Sequence, residues 1–117
     1  MLWFLLILGI GAALAQKKPL LTDPFTVEQA VKEELAELEA SESWQEYIQD
    51  NDIKGSYTFQ ITVWNKGEVV SVLAVERSKD GTIPNQNSIK NYIKLLKFGF
   101  KVPKGKRYKV DHTFITK

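Results

Sequence analysis

Between Tyr57 and Arg77 the hydrophobic period is two, and that limits the chain more than any other feature. Tyr57, Phe59, Ile61 and Val63 alternate with Thr58, Gln60, Thr62 and Trp64. In an extended strand the two sets fall on opposite faces, one apolar and one largely polar. Such a strand is half-buried and antiparallel, with its apolar face laid on a core. Asn65, Lys66 and Gly67 then fit a three-residue hairpin loop, with Gly67 taking the positive φ of a bulge. The return run, Glu68 to Arg77, carries Val69, Val70, Val72, Leu73 and Val75. Being apolar on both faces, it is expected at the centre of the sheet or beside the last strand.

Outside the hairpin the period is helical. Val27, Val31, Leu35 and Leu38 recur every three or four residues and define one buried stripe. Thr26 and Gln29 have capping-box spacing, with Phe25 just outside. Glu33, Glu34 and Glu37 occupy the opposite, solvated face. Ser43 and Glu46 repeat the capping-box spacing, so either a kinked continuation or a short second helix runs to about Asp50. Ser78 to Asn87, with Asp80-Gly81 and Pro84, reads as loop. A basic amphipathic helix is predicted from Asn87 or Ser88 through Ile89, Tyr92, Ile93 and Leu96 to about Phe98-Gly99. Lys104-Gly105-Lys106 makes a turn, and the last strand, Arg107 to Ile115, aligns Tyr108, Val110, His112 and Phe114 on one face.

These elements define an α+β fold. It consists of a three-stranded antiparallel sheet with the Ile89–Phe98 helix packed on one face and an additional acidic N-terminal helical segment bordering it. A chain of 117 residues holds one modest core. With no cysteine, packing alone must hold it.

The N-terminus is different in kind. Leu2 to Ala15 is uncharged throughout, about 14 residues where about 20 are needed to span a bilayer. Ala13-Leu14-Ala15 before Gln16 has the small-x-small form of a signal-peptidase site. The organisation expected is therefore a signal peptide over residues 1–15, cleaved after Ala15, and a linker over 16–24. An acidic helical segment over 25–52 and the sheet domain over 53–117 follow. The mature chain belongs in the periplasm or outside the cell, touching a membrane only through an uncleaved leader.

Charge is unevenly spread. Nine acids and one lysine lie between Glu28 and Asp52, and nine basic residues and one acid between Ile89 and Lys117. The two blocks are of similar size and opposite sign, so they compensate within one fold, and nucleic acid is not an expected partner.

Few residues have the makings of a catalytic or metal site. His112 is the only histidine and shares a face with Val110 and Phe114, which marks a core or rim histidine with one satisfied nitrogen. Zinc on one histidine and no cysteine would need several carboxylates around it. Glu33/Glu37 and Glu42/Glu46 pair only on a charged helix face, without the enclosure that separates two pKa values for acid–base work. Ser56 and Ser71 lack a base partner. No enzyme, metal or cofactor is expected.

From Gly55 onward the chain resembles the TonB C-terminal domain family of exported bacterial proteins. The resemblance runs through Gly55 to Val63, then Asn65-Lys66-Gly67 and the valine-rich Glu68 to Val72. It continues in Glu76-Arg77-Ser78 and Asp80-Gly81, in Lys97-Phe98 closing the family's helix, and in Pro103, Lys104-Gly105-Lys106 and the strand Tyr108 to Phe114. The form is that of the small exported single-domain members carried by Bacteroidota-type bacteria. No Tyr-Pro pair precedes the first strand, and only Pro19 and Pro24 precede the domain, so the chain lacks the family's long proline-rich segment. The resemblance implies a cell-envelope interaction module that binds a protein, such as a segment of an outer-membrane receptor in transmembrane transport. Strand addition at the last strand is the implied mode. Trp64, Arg107, Tyr108, Lys109, Asp111 and Thr113 are the candidate partner residues, Gly67 is the structural turn, and homodimerisation is open. The alternative is a secreted inhibitor or accessory subunit of the cystatin or PepSY sort, although the inhibitor motif Gln-x-Val-x-Gly is absent after Gln60.

Overall fold

The computed structural model describes residues 18–116; the leader and its cleavage site lie outside them. Six elements follow in order: α1 (Pro24–Ala40), α2 (Glu42–Asp50), β1 (Gly55–Trp64), β2 (Glu68–Arg77), α3 (Ile83–Lys94) and β3 (Arg107–Thr116). The strands form one antiparallel sheet in the order β2-β1-β3. The fold is α+β, a three-stranded antiparallel sheet with helices on one face.

β1 has the expected alternation: Tyr57, Phe59, Ile61 and Val63 are all buried. It also occupies the centre, which corrects the expectation for β2. β2 is an edge strand bonded only to β1, on the far side of β1 from β3. Its apolar residues did not signal double burial. Val72 is buried, but Leu73 and Val75 are 54% and 57% exposed. The register slips between Thr58/Phe59 and between Thr62/Val63, so Val75 and Val70 are extra residues in two bulges. Bulges put successive side chains out of alternation, and the valine run is the imprint of those bulges.

The helix limits also move. Asp23, not Thr26, caps α1; its carboxylate accepts from the Thr26 amide at 3.0 Å, and Pro24 fills the first turn, where no amide is needed. Ser41 caps α2 in place of Ser43, accepting from the Trp44 amide at 3.3 Å, while its own amide closes α1 onto the Leu38 carbonyl. α3 starts earlier than predicted because Thr82 caps it and Pro84 sits in its first turn. It also ends earlier, at Lys94, so Lys97-Phe98 lies beyond the helix.

One core joins all six elements. Val27, Val31 and Leu35 from α1, Trp44 and Ile48 from α2, and Ile89 and Ile93 from α3 meet the buried face of the sheet. Trp44 packs edge-on to Tyr92 at 5.0 Å and tilted to Phe114 at 5.5 Å, tying α2 to α3 and β3. Beyond α3 the chain runs extended beside the hairpin tip, burying Phe98, Phe100 and Val102 in alternation. The Phe98 and Val102 amides donate to the carbonyls of Gly67 and Asn65, at 2.9 and 2.8 Å. On its other side Lys101 exchanges main-chain bonds with Pro19 and Leu21. The segment read as a linker is thus docked on the fold from Lys18 onward.

Candidate functional site

The two sheet edges are unequal. β2 is bent by its two bulges, and at Glu68 its edge is covered by a bridge to Lys97. β3 pairs with β1 through ten residues without a register shift. Bulges and covering segments are the usual protection of an edge, and β3 has neither along its length.

Which main-chain groups β3 offers follows from one observation at the sheet end. Ser56 donates its amide to Ser78 Oγ at 2.9 Å and accepts from the Ser78 amide at 3.0 Å, so its main chain points toward β2. Direction alternates along a strand. Tyr57, Phe59, Ile61 and Val63 therefore bond toward β3, where they face Phe114, His112, Val110 and Tyr108. The amides and carbonyls of Arg107, Lys109, Asp111, Thr113 and Ile115 are left pointing away from the sheet. No main-chain bond joins these five to another described segment.

The same five residues carry exposed side chains on the helix-free face. Arg107 stands opposite Trp64, with its guanidinium 5.4 Å from the indole centroid, and Trp64 itself is half-buried. This cation–π contact holds both side chains at the start of the edge. Further along, Thr113 Oγ1 lies 2.7 Å from Thr58 Oγ1. Tyr108 is turned the other way. It is buried, and its hydroxyl donates to the Thr22 carbonyl at 3.0 Å, pinning the segment ahead of α1 beside the strand. Between that segment and the strand runs a groove of about 400 Å³, lined by Thr22, Pro24 and Lys106 to Val110. The fold thus brings Arg107, Lys109, Asp111 and Thr113 to one edge, sets Trp64 of the central strand beside them on the same face, and places Tyr108 on the opposite one.

His112 lies on the core face of β3, its Nε2 3.1 Å from Glu39 Oε2 and its ring 4.6 Å from Phe114. The pair is partly buried, with side-chain exposures of 15% and 27%. A signal for it was present: Glu39 is the next i+4 step of the stripe Val27, Val31, Leu35, where an apolar residue would continue the pattern. Glu34, expected on the solvated face, instead accepts the Gly99 amide with both carboxylate oxygens, at 2.9 and 3.1 Å. It is half-buried because the chain after α3 returns over it. Among the described residues no group of three His, Asp or Glu side chains converges as a metal site would require.

No protein-family model, no curated protein and no solved structure matches the chain.

Proposed function

We propose that this chain is an exported, TonB C-terminal-like interaction module that takes an extended segment of a cell-envelope protein as a fourth strand along β3. The observation that carries the reading is the inequality of the edges. β3 is ten residues long and free of bulges, and Arg107, Lys109, Asp111, Thr113 and Ile115 aim their main-chain groups outward, whereas β2 is bulged and partly covered. An added strand gains affinity from main-chain bonds and specificity from alternate side chains. Here Arg107, Lys109, Asp111 and Thr113 would select the partner, with Trp64 as an apolar platform at one end. The groove beside Lys106 to Val110 gives the incoming chain room on its far side.

The inhibitor alternative draws less support. A hairpin that wedges into another protein needs a free tip, and this tip is tied by the bonds from Phe98 to Gly67 and from Val102 to Asn65.

The test is crosslinking capture from periplasm and outer-membrane fractions by the intact chain and by Lys109→Pro and Trp64→Ala. Lys109→Pro should abolish capture of a defined partner, and Trp64→Ala should weaken it. An unchanged set of partners with the fold intact would sink the proposal.

A further inference from the structure

The outward residues of β3 are complementary to those of a second copy of the same strand. Arg107, Lys109, Asp111, Thr113 and Ile115 are all exposed, and β3 has neither the bulges nor the cover that keep one edge from meeting another. A two-fold axis through such an edge sets the two strands antiparallel. Outward main-chain groups meet only when odd-numbered residues face odd-numbered ones, so the axis must fall at a residue. At Lys109 it sets two ammoniums directly opposite, at Asp111 two carboxylates, and at Tyr108 it sets Arg107 against Lys109 twice. Like charges in that position destabilise a strand pair. At His112 it sets Lys109 against Ile115 and Asp111 against Thr113, with no ion pair. Only at Val110 does Lys109 of each copy stand opposite Asp111 of the other, with Arg107 opposite Thr113.

The remaining charges do not upset this register. Diagonal neighbours, about 7–8 Å apart, add two Arg107–Asp111 attractions against one Lys109–Lys109 and one Asp111–Asp111 repulsion. Beside them on the same face β1 presents Trp64, Thr62, Gln60 and Thr58, all uncharged. On the core side, Glu28, Lys32 and Glu39 share one side of α1 and are paired within the copy, Glu28 with Lys32 at 3.8 Å and Glu39 with His112 at 3.1 Å. Glu34 is taken by the Gly99 amide, Glu37 lies on the same side of the helix as Glu34, and Glu33 points away from the sheet. At each end of the pairing Lys106 falls opposite Phe114 of the other copy, which packs on Trp44 of α2. Lys104, Lys106 and Asp23 thus come toward an α2 that carries Glu42, Glu46 and Asp50, and the net charges there are of opposite sign.

We infer that the β3 edges of two copies pair antiparallel about Val110, so that the chain covers its own partner site as a homodimer. The inference rests on the outward aim of β3 that also carries the proposed function, and it adds a regulation of that site: a partner strand must displace the second copy. Arg107, Lys109, Asp111 and Thr113 of each copy form the outward pairs, and each pair exchanges two main-chain bonds. A window from Arg107 to Thr113 lies at the small end of protein interfaces. The dimer is therefore weak and exchanges readily, as a displaceable cover must.

The experiment is sedimentation equilibrium of the chain up to millimolar concentration, where the parent should show a monomer–dimer equilibrium. Lys109→Asp and Asp111→Lys each make both crossed pairs repulsive and should weaken self-association by about tenfold or more. Mixed in equal amounts, the two variants again set opposite charges across the axis, and the mixture should associate at least as tightly as the parent. Lys79→Asp, in the loop beyond β2, should change nothing. A parent that stays monomeric, association indifferent to the single reversals, or a mixture no tighter than its components would overturn the inference. Circular dichroism checks each variant, and where one misfolds, Lys109→Glu and Asp111→Arg replace the pair in the same mixture. Crosslinking capture keeps the two readings apart. A monomeric parent whose captured partner is lost with Lys109→Pro ends the dimer and leaves the proposed function standing. A dimer that responds to the charge reversals while no partner is captured does the reverse.

Discussion

Phe98 and Gly67 are locked together by their main chains. The Phe98 amide donates to the Gly67 carbonyl at 2.9 Å, and a β-carbon on Gly67 would stand 2.5 Å from the Phe98 carbonyl oxygen and 2.6 Å from that of Phe100. Gly67 also has φ +85°, where a side chain is strained whatever the space. Both obstacles are backbone, so neither can swing aside. Gly67→Ala should therefore cost about 2–4 kcal/mol, the left-handed strain adding to the overpacking. A urea unfolding curve measures it, and a shift below about 0.5 kcal/mol would show that the tip is not held as described.

The alternation of main-chain direction on β3 makes a pair of neighbouring prolines diagnostic. Lys109 points its amide outward, so Lys109→Pro removes no ladder bond and should cost about 1 kcal/mol or less. Val110 bonds to Ile61 across the sheet and is buried, so Val110→Pro should cost about 3 kcal/mol or more and leave little folded protein. Thermal melts of the two variants read the difference. The opposite order would mean that the outward set is the even-numbered one, and the partner edge would have to be redrawn.

Glu34 fastens the segment after α3 to α1 through the Gly99 amide. A carboxylate accepting an amide with both oxygens is a charge-assisted bond, weakened here because the site is half open to water. Glu34→Ala should destabilise the fold by about 1 kcal/mol, with Glu34→Gln in between. Glu33→Ala, one residue away and exposed, should change the melting midpoint by no more than about 1 °C. Equal effects from Glu33 and Glu34 would remove the tether from the account.

Much of this architecture was legible in the residues. The alternation in β1 and the i, i+4 stripe of α1 each follow from burial on one face, which sequence records directly. Asn65-Lys66-Gly67 was legible because a positive φ selects glycine. Strand order was not, since exposed valines in a bulged edge strand read the same as buried valines in a central one. The capping residues were displaced because several Ser, Thr and Asp positions have the right spacing, and only main-chain direction chooses Asp23 and Ser41. The roles of Glu34 and Glu39 depend on contacts 65 and 73 residues away, and no local pattern carries the first of them. For the candidate site, the open-face residues of β3 came from alternation alone. The outward aim of their main-chain groups needed the Ser56–Ser78 contact.

The burial of β2 on one face only is open to a direct substitution test. Val72 is 2% exposed and opposite Ile61 in the core, so Val72→Ala should cost about 2 kcal/mol through the lost methyl groups and the space they leave. Leu73, the next residue, is 54% exposed and opposite Gln60 on the helix-free face. A charge there stays in water, so Leu73→Lys should cost no more than about 0.5 kcal/mol. In a strand buried on both faces the same lysine would carry the penalty of an unpaired buried charge, several kcal/mol, and the chain would not fold. Unfolding of the two variants in urea separates the cases. A destabilising Leu73→Lys would mean that something covers the helix-free face of β2, the same face on which Arg107, Lys109, Asp111 and Thr113 are exposed on β3.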